Sequence, residues 1–256
     1  MRHYYFVIPS LPPLSLKDKP ELSFDELVRR LRINLSKEDF ERTVVLRRFI
    51  DILNIRSLMM EEPIDPRGNL GEKELDEAML VKTSLPDYVF DFLEQFEKTS
   101  DRIRNFSGLL ARYFQEEIPL QKGFLKKYLV FERERRLVLL ALRAKLIGRD
   151  VVHELQFEDL SDPLVAHILA QKDSGHYDPP LEYVEIRDIL ESCYADPLLE
   201  NKAFAEYRFK KIDELSVGDP FTINRILAYM AQLMLVENLH ELDEEKGRLV
   251  VETYKT

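Results

Sequence analysis

The sequence predicts an all-α protein, elongated and built from several small helical lobes. Three observations carry that prediction. Only 8 of the 256 residues are glycine and none is tryptophan. Charged residues make up 33% of the chain, above the usual quarter, while 45% are hydrophobic, enough for a real core. Apolar residues recur at three- and four-residue steps through most of the length, the period of a helix with one buried face. The charge balance narrows the function classes. With 37 Lys and Arg against 47 Asp and Glu the net charge is −10, and the pI lies near 5.2. Like charge then argues against general nucleic-acid binding and against an anionic membrane face.

The elements follow in order. Residues 4–8 are aromatic and β-branched, which predicts a short extended segment, and Pro9, Pro12, Pro13 and Pro20 predict an irregular arm after it. Ser23 and Glu26 have capping-box spacing and start a helix through about Asn34. Ser36 caps a longer helix, with Glu38 and Asp39 in its first turn. There Val45, Phe49, Ile52 and Met59 form one apolar row and Leu46, Ile50 and Leu53 a second, giving a broad buried stripe. Two prolines and a glycine within Pro63–Asn69 stop it and mark a linker or mobile loop. Glu72 to about Lys82 reads as a polar helix. Pro86 opens another, carrying Tyr88, Phe92 and Phe96. Asp101 starts the next, with Ile103, Phe106, Leu110 and Phe114 inward, ending before Pro119. Residues 122–147 form the longest candidate, closed by Gly148 as a left-handed cap. Asp162-Pro163, Asp196-Pro197 and Asp219-Pro220 each pair an acidic cap with a first-turn proline. Ser174–Pro180 is a second strong breaker. Residues 249–254 read as a final strand or a frayed helix; the strand reading would pair them with residues 4–8 in a minor β pairing of the termini. The lobes are expected at residues 1–84, 85–175 and 176–256.

The longest purely apolar run, Leu137 to Leu142, falls far short of the ~20 residues that span a bilayer, and the N-terminal apolar patch is too short for a signal peptide. Composition thus predicts a soluble, cytosolic chain. The single cysteine, Cys193, excludes an intramolecular disulfide framework and a multi-cysteine zinc site. Its place after Ile186, Ile189 and Leu190 predicts a buried, unreactive side chain. Neither a Walker nor a Rossmann phosphate loop nor a G-x-S-x-G elbow is present, so no catalytic residue and no cofactor is expected. Glu237 and His240 have the spacing of a helical carboxylate–imidazole metal pair, or of a solvated helix end.

The run Glu132-Arg133-Glu134-Arg135-Arg136 lies inside the longest helix, and five consecutive charges cover every direction around it. Two readings are open: arginine stems lying over the core with their heads in water, or a charged docking surface for a partner. In the second reading Arg133, Arg135, Arg136, Arg143 and Lys145 are the candidate contact residues. A short echo links this helix to two others, in Asn54-Ile55-x-x-Leu58, Arg136-Leu137-x-x-Leu140 and Asn238-Leu239-x-x-Leu242.

The opening Tyr4-Tyr5-Phe6-Val7-Ile8-Pro9-Ser10-Leu11-Pro12 and the ending Leu242-Asp243-Glu244-Glu245-Lys246-Gly247 resemble an uncharacterised bacterial family. Its members are typically encoded among the subunits of V-type ATPases. A second likeness is to the C-type subunit of those rotary enzymes, the d-type in eukaryotes. It rests on Phe49-Ile50-Asp51-Ile52-Leu53-Asn54-Ile55-Arg56-Ser57-Leu58, on Leu142 to Asp150, and on Ile226-Leu227-Ala228-Tyr229 through Glu237-Asn238-Leu239. In C-type subunits an acidic residue followed by Asn-Ile or Asn-Leu recurs in three related helical lobes; here position 136 is arginine instead of asparagine. The resemblance implies a non-enzymatic helical spacer, peripheral to the inner membrane through its complex. Its implied partners are the central-stalk subunits and the proteolipid ring. The alternatives are an unrelated cytosolic helical scaffold or adaptor, and a helical-bundle metalloenzyme.

Overall fold

The computed structural model describes residues 2–241. Among the described residues there are twelve α-helices and two short 3-10 turns, with no strand. In chain order the helices are α1 (Phe24–Asn34), α2 (Lys37–Met59), α3 (Glu72–Val81), α4 (Asp87–Gln95), α5 (Thr99–Arg104) and α6 (Phe106–Leu120). Then come α7 (Gly123–Leu146), α8 (Val151–Glu154), α9 (Pro163–Ala170), α10 (Val184–Cys193), α11 (Pro197–Leu215) and α12 (Ile223–Glu241). Two compact units are formed, each from segments distant in sequence. The first draws on residues up to 42, on 123–125 and on those from 188 onward; the second on 43–122 and 126–187. The expected boundaries at 84/85 and 175/176 both lie inside the second unit.

Local chemistry sets most helix ends. Ser23 Oγ accepts from the Glu26 N–H at 3.3 Å, and Ser36 Oγ from the Asp39 N–H at 3.2 Å. Glu26 does not close the capping box: its carboxylate turns to Arg30, four residues on. Asp162 and Asp196 each cap two amides of a helix that begins with proline. Gly148 takes φ +68° after α7, a conformation that costs glycine little. Asp219 behaves differently from those two. Its carboxylate accepts from the Phe221 N–H at 2.9 Å and closes a turn, so α12 begins at Ile223.

The first unit is built around α12, on which α1 and α11 pack. Ile226, Leu227, Ala228, Met230, Ala231, Leu233 and Val236 are all buried, so this helix is apolar around nearly its whole circumference. Its polar groups find internal partners: Tyr229 donates to the Pro12 carbonyl at 2.9 Å and Gln232 to that of Phe209 at 3.2 Å. Residues 4–8 are not extended. The Tyr4 N–H donates to the Phe221 carbonyl at 2.7 Å, its hydroxyl bonds Asp39, and Pro9 continues into a 3-10 turn over Ile8–Ser10. Burial of the Tyr4 ring outweighs its strand propensity. The other half of the expected β pairing, residues 249–254, lies outside the described residues.

In the second unit α4 and α5 pack on α6. Tyr113 and Phe114 of α6 are fully buried, with the Phe49 ring of α2 at 5.6 and 5.7 Å from theirs. The segment expected to form one helix from Asp101 breaks at Asn105 into α5 and α6, and Pro119 falls inside the last turn of α6, not after it. On α2 the stripe is Leu46, Ile50, Ile52 and Ile55, while Leu53 is exposed and the polar Asp51 and Asn54 take buried places. In the first unit, Cys193 is buried at the end of α10, as its surroundings predict.

Those two polar residues correct the reading of Pro63–Asn69 as a linker. Asn54 makes two 2.9 Å bonds to the backbone of Asp65. Asp51 Oδ1 accepts from the N–H groups of Asn69 at 2.5 Å and Leu70 at 3.1 Å, and Oδ2 from the Asn69 side chain at 2.6 Å. Arg47 donates to the Arg67 carbonyl at 3.0 Å and also to that of Gly68. The loop is therefore docked along α2. Its glycine is required by close approach: a Cβ at Gly68 would stand 2.6 Å from Asp51 Oδ1.

Candidate functional site

Each direction of the charged run on α7 meets a partner within the second unit. Arg133 and Arg136 stand three residues apart and so share a helix face. Both reach Glu158: Arg133 at 3.2 Å to Oε2, Arg136 to Oε1. Arg133 also pairs with Asp162 at 2.8 Å, whose other oxygen caps α9 through the N–H groups of Leu164 and Val165. Arg135 turns back on Glu132 with two contacts, at 3.1 and 2.8 Å. Glu134 faces elsewhere and accepts from the Tyr183 hydroxyl.

These groups are largely withdrawn from water. The side chain of Glu158 is 3% exposed, and those of Arg133, Arg135 and Arg136 are 11, 17 and 16%. Burial pulls the Arg136 guanidinium below its usual range, with Glu158 opposing that shift. The Phe114 ring lies beneath it at 5.8 Å. Burial likewise pushes the Glu134 carboxyl up, offset in part by the Tyr183 hydroxyl. The arrangement anchors residues 158–162 to α7 by matched charge. Arginines hold their protons, so the network fixes these segments by charge.

The two remaining candidates lie toward the end of α7. Lys145 donates to the carbonyls of Lys172 and Ser174, the latter at 2.7 Å, and so ties down the second breaker. Arg143 is exposed in the last turn, where its charge suits the helix dipole. Structure thus gathers Arg133 and Arg136 on one carboxylate, turns Arg135 aside, and leaves Arg143 and Lys145 apart from them.

The echoed motif has its own geometry. Asp51 accepts the Leu70 N–H just ahead of α3, and Glu237 Oε1 accepts the Phe24 N–H that opens α1, at 2.7 Å. Both acids thus serve the entrance of a neighbouring helix, where N–H groups lack helical partners. Asn54 and Arg136, equivalent in the echo, each dock a following loop, whereas Asn238 is exposed. Glu237, read as one half of a metal pair, is engaged by α1. Among the described residues no three His, Cys, Asp or Glu side chains come together as a metal site.

Sequence reasoning missed Glu158 and Tyr183. Glu158 sits in Phe157-Glu158-Asp159, where no periodicity separates a buried carboxylate from a solvated one. Asp162 was legible only as a cap. The one available signal was indirect: buried arginines at 133 and 136 demand carboxylates somewhere in the fold.

The fold and this site define an all-α protein whose charged helix is neutralised from within. The chain belongs to the family described as protein of unknown function (DUF2764), whose model matches residues 1–256. It is 31% identical to an uncharacterized protein of Chlamydia pneumoniae, and 27% identical to uncharacterized proteins of Chlamydia muridarum and Chlamydia trachomatis. Each match covers 98% of this chain and 97% of the relative. No solved structure matches.

Proposed function

We propose that this protein is a non-catalytic subunit of a bacterial V-type ATPase, a spacer like the C-type subunit, coupling the central stalk to the membrane proteolipid ring in ion transport. The observation that supports this reading is where the residues that carry the resemblance to C-type subunits lie in the fold. Asp51 on α2 and Glu237 on α12 accept, and Asn54 on α2 both donates and accepts, to lock neighbouring segments onto long helices. A part that transmits torque needs helices fixed to one another in this way. The buried ion pairs of α7 add to that stiffness.

Among the described residues no helix is long and apolar enough to cross a membrane. In this reading the protein meets the inner membrane from the cytoplasmic side, through the stalk and ring subunits. Affinity purification of the full chain from native bacterial membranes tests it. The expected result is recovery of stalk and ring subunits in fixed proportion. Recovery of the chain with no ATPase subunit would overturn the proposal and favour a helical adaptor of another assembly.

A further inference from the structure

We propose that an acidic, methionine-lined groove on the second unit docks a basic amphipathic helix of a protein partner. The groove is an open trough of about 800 Å3 formed by the end of α2 together with α3, α4 and α5. Its apolar floor is made by Leu58, Met59, Met79, Phe90 and Leu93, with Leu80 at the lip. Leu80 is 84% exposed and the adjoining Val81 is 56% exposed, so the floor continues onto an uncovered strip of α3. Unbranched methionines adapt their shape to an incoming side chain, which suits a surface that takes up a helix.

Charge selects the kind of helix. Glu61, Asp76, Glu94 and Glu97 line the groove against two cations, Lys82 and Arg102. Lys82 is paired with Glu94, so those two charges cancel. Arg102 Nε donates to the carbonyls of Leu93 and Phe96 at 3.1 and 2.7 Å and keeps its charge. Glu61, Asp76 and Glu97 then stand against one cation, so the lining is negative on balance. An apolar trough flanked by carboxylates complements a helix with leucine-like residues on one face and lysine or arginine beside them. The backbone adds a second observation. Glu61 and Lys82, both lining residues, take positive φ of 58° and 54°, and Ser84 beyond takes 63°. Non-glycine residues hold such angles where the surroundings enforce them. Here they end α2 and α3 at the groove and keep either helix from running on across it.

This inference stands independently of the ATPase reading, because it names the partner by its chemistry. The test titrates the full-length protein with a synthetic leucine–lysine amphipathic helical peptide, followed by calorimetry. A scrambled peptide of the same composition serves as control. We expect saturable one-to-one binding by the amphipathic peptide only, weakening as salt rises. Leu80→Asp should weaken it about tenfold or more, and so should Asp76→Lys with Glu97→Lys, through loss of the anchor or of the attraction. All three side chains are exposed, so the variants should retain the wild-type circular dichroism spectrum. Equal binding of the scrambled peptide, or undiminished binding by folded variants, would overturn the proposal. So would sedimentation showing a dimer of this chain that Leu80→Asp dissolves, since the groove would then be filled by a second copy.

Discussion

Replacing Glu158 with glutamine removes one negative charge and almost no volume, and the structure fixes what that costs. Arg133 retains Asp162 at 2.8 Å, but Arg136 loses the carboxylate that balances it. The Arg136 side chain is 16% exposed, and its Nε already has no protein partner. Leaving one buried cation uncompensated costs about 3–5 kcal/mol. Glutamine still offers one acceptor oxygen, so the lower end of that range applies. Against a typical folding stability of ~5–15 kcal/mol this is a large loss. The chain lacks tryptophan, so urea unfolding is best followed by far-UV circular dichroism. Asp25→Asn is the control: Asp25 pairs with Arg29 where both side chains are mostly exposed, 78 and 67%, and its loss should stay within about 0.5 kcal/mol. Arg136→Met combined with Glu158→Leu should recover most of the stability, because apolar residues fill the site without a stranded charge. If Glu158→Gln unfolds with the wild-type midpoint, the charged run of α7 does not clamp residues 158–162.

Three further outcomes are expected. Gly68→Ala forces a Cβ to 2.6 Å from Asp51 Oδ1 and 3.0 Å from Asn54 Nδ2; it should cost about 1–3 kcal/mol and speed limited proteolysis within residues 63–69. Unchanged cleavage would show that the loop is not held against α2. Ile52→Ala should cost about 2–5 kcal/mol by cavity formation, whereas Leu53→Ala on the exposed side of the same helix should cost far less; equal losses in urea unfolding would contradict the α2 register. Burial pushes the Asp51 carboxyl above its ordinary value, with the Asn69 and Leu70 donors opposing it. The native state then binds this proton more readily than the unfolded state. The contribution of Asp51 to stability therefore rises as pH falls through its native value and levels below the unfolded one. Asp51→Asn should lose that slope, and a profile parallel to wild type would refute it.

The helices were legible because their ends carry local chemistry. Ser23, Ser36, Asp162 and Asp196 cap the helices expected of them, and Gly148 closes α7. What failed was set by distant partners. Residues 4–8 have strand composition, yet Tyr4 is held by Phe221 and Asp39, more than thirty residues away in either case. Pro63–Asn69 has the composition of a linker, and Asp51 and Asn54, buried on α2 out of step with its apolar rows, turn it into a docked loop together with Arg47. The charged run of α7 was visible as a conflict between five charges and a buried helix. Its resolution lay in Glu158, which nothing in its neighbourhood distinguishes from a surface acid.

The proposed place in a rotary ATPase is most directly tested from the enzyme's side. A bacterial V-type ATPase isolated through one of its catalytic subunits, from cells making this protein at native level, should contain a 30.3 kDa chain in one copy per central stalk. That chain should be lost when stalk and ring are separated. An intact, ion-pumping complex complete with stalk and ring but devoid of this chain would contradict the account.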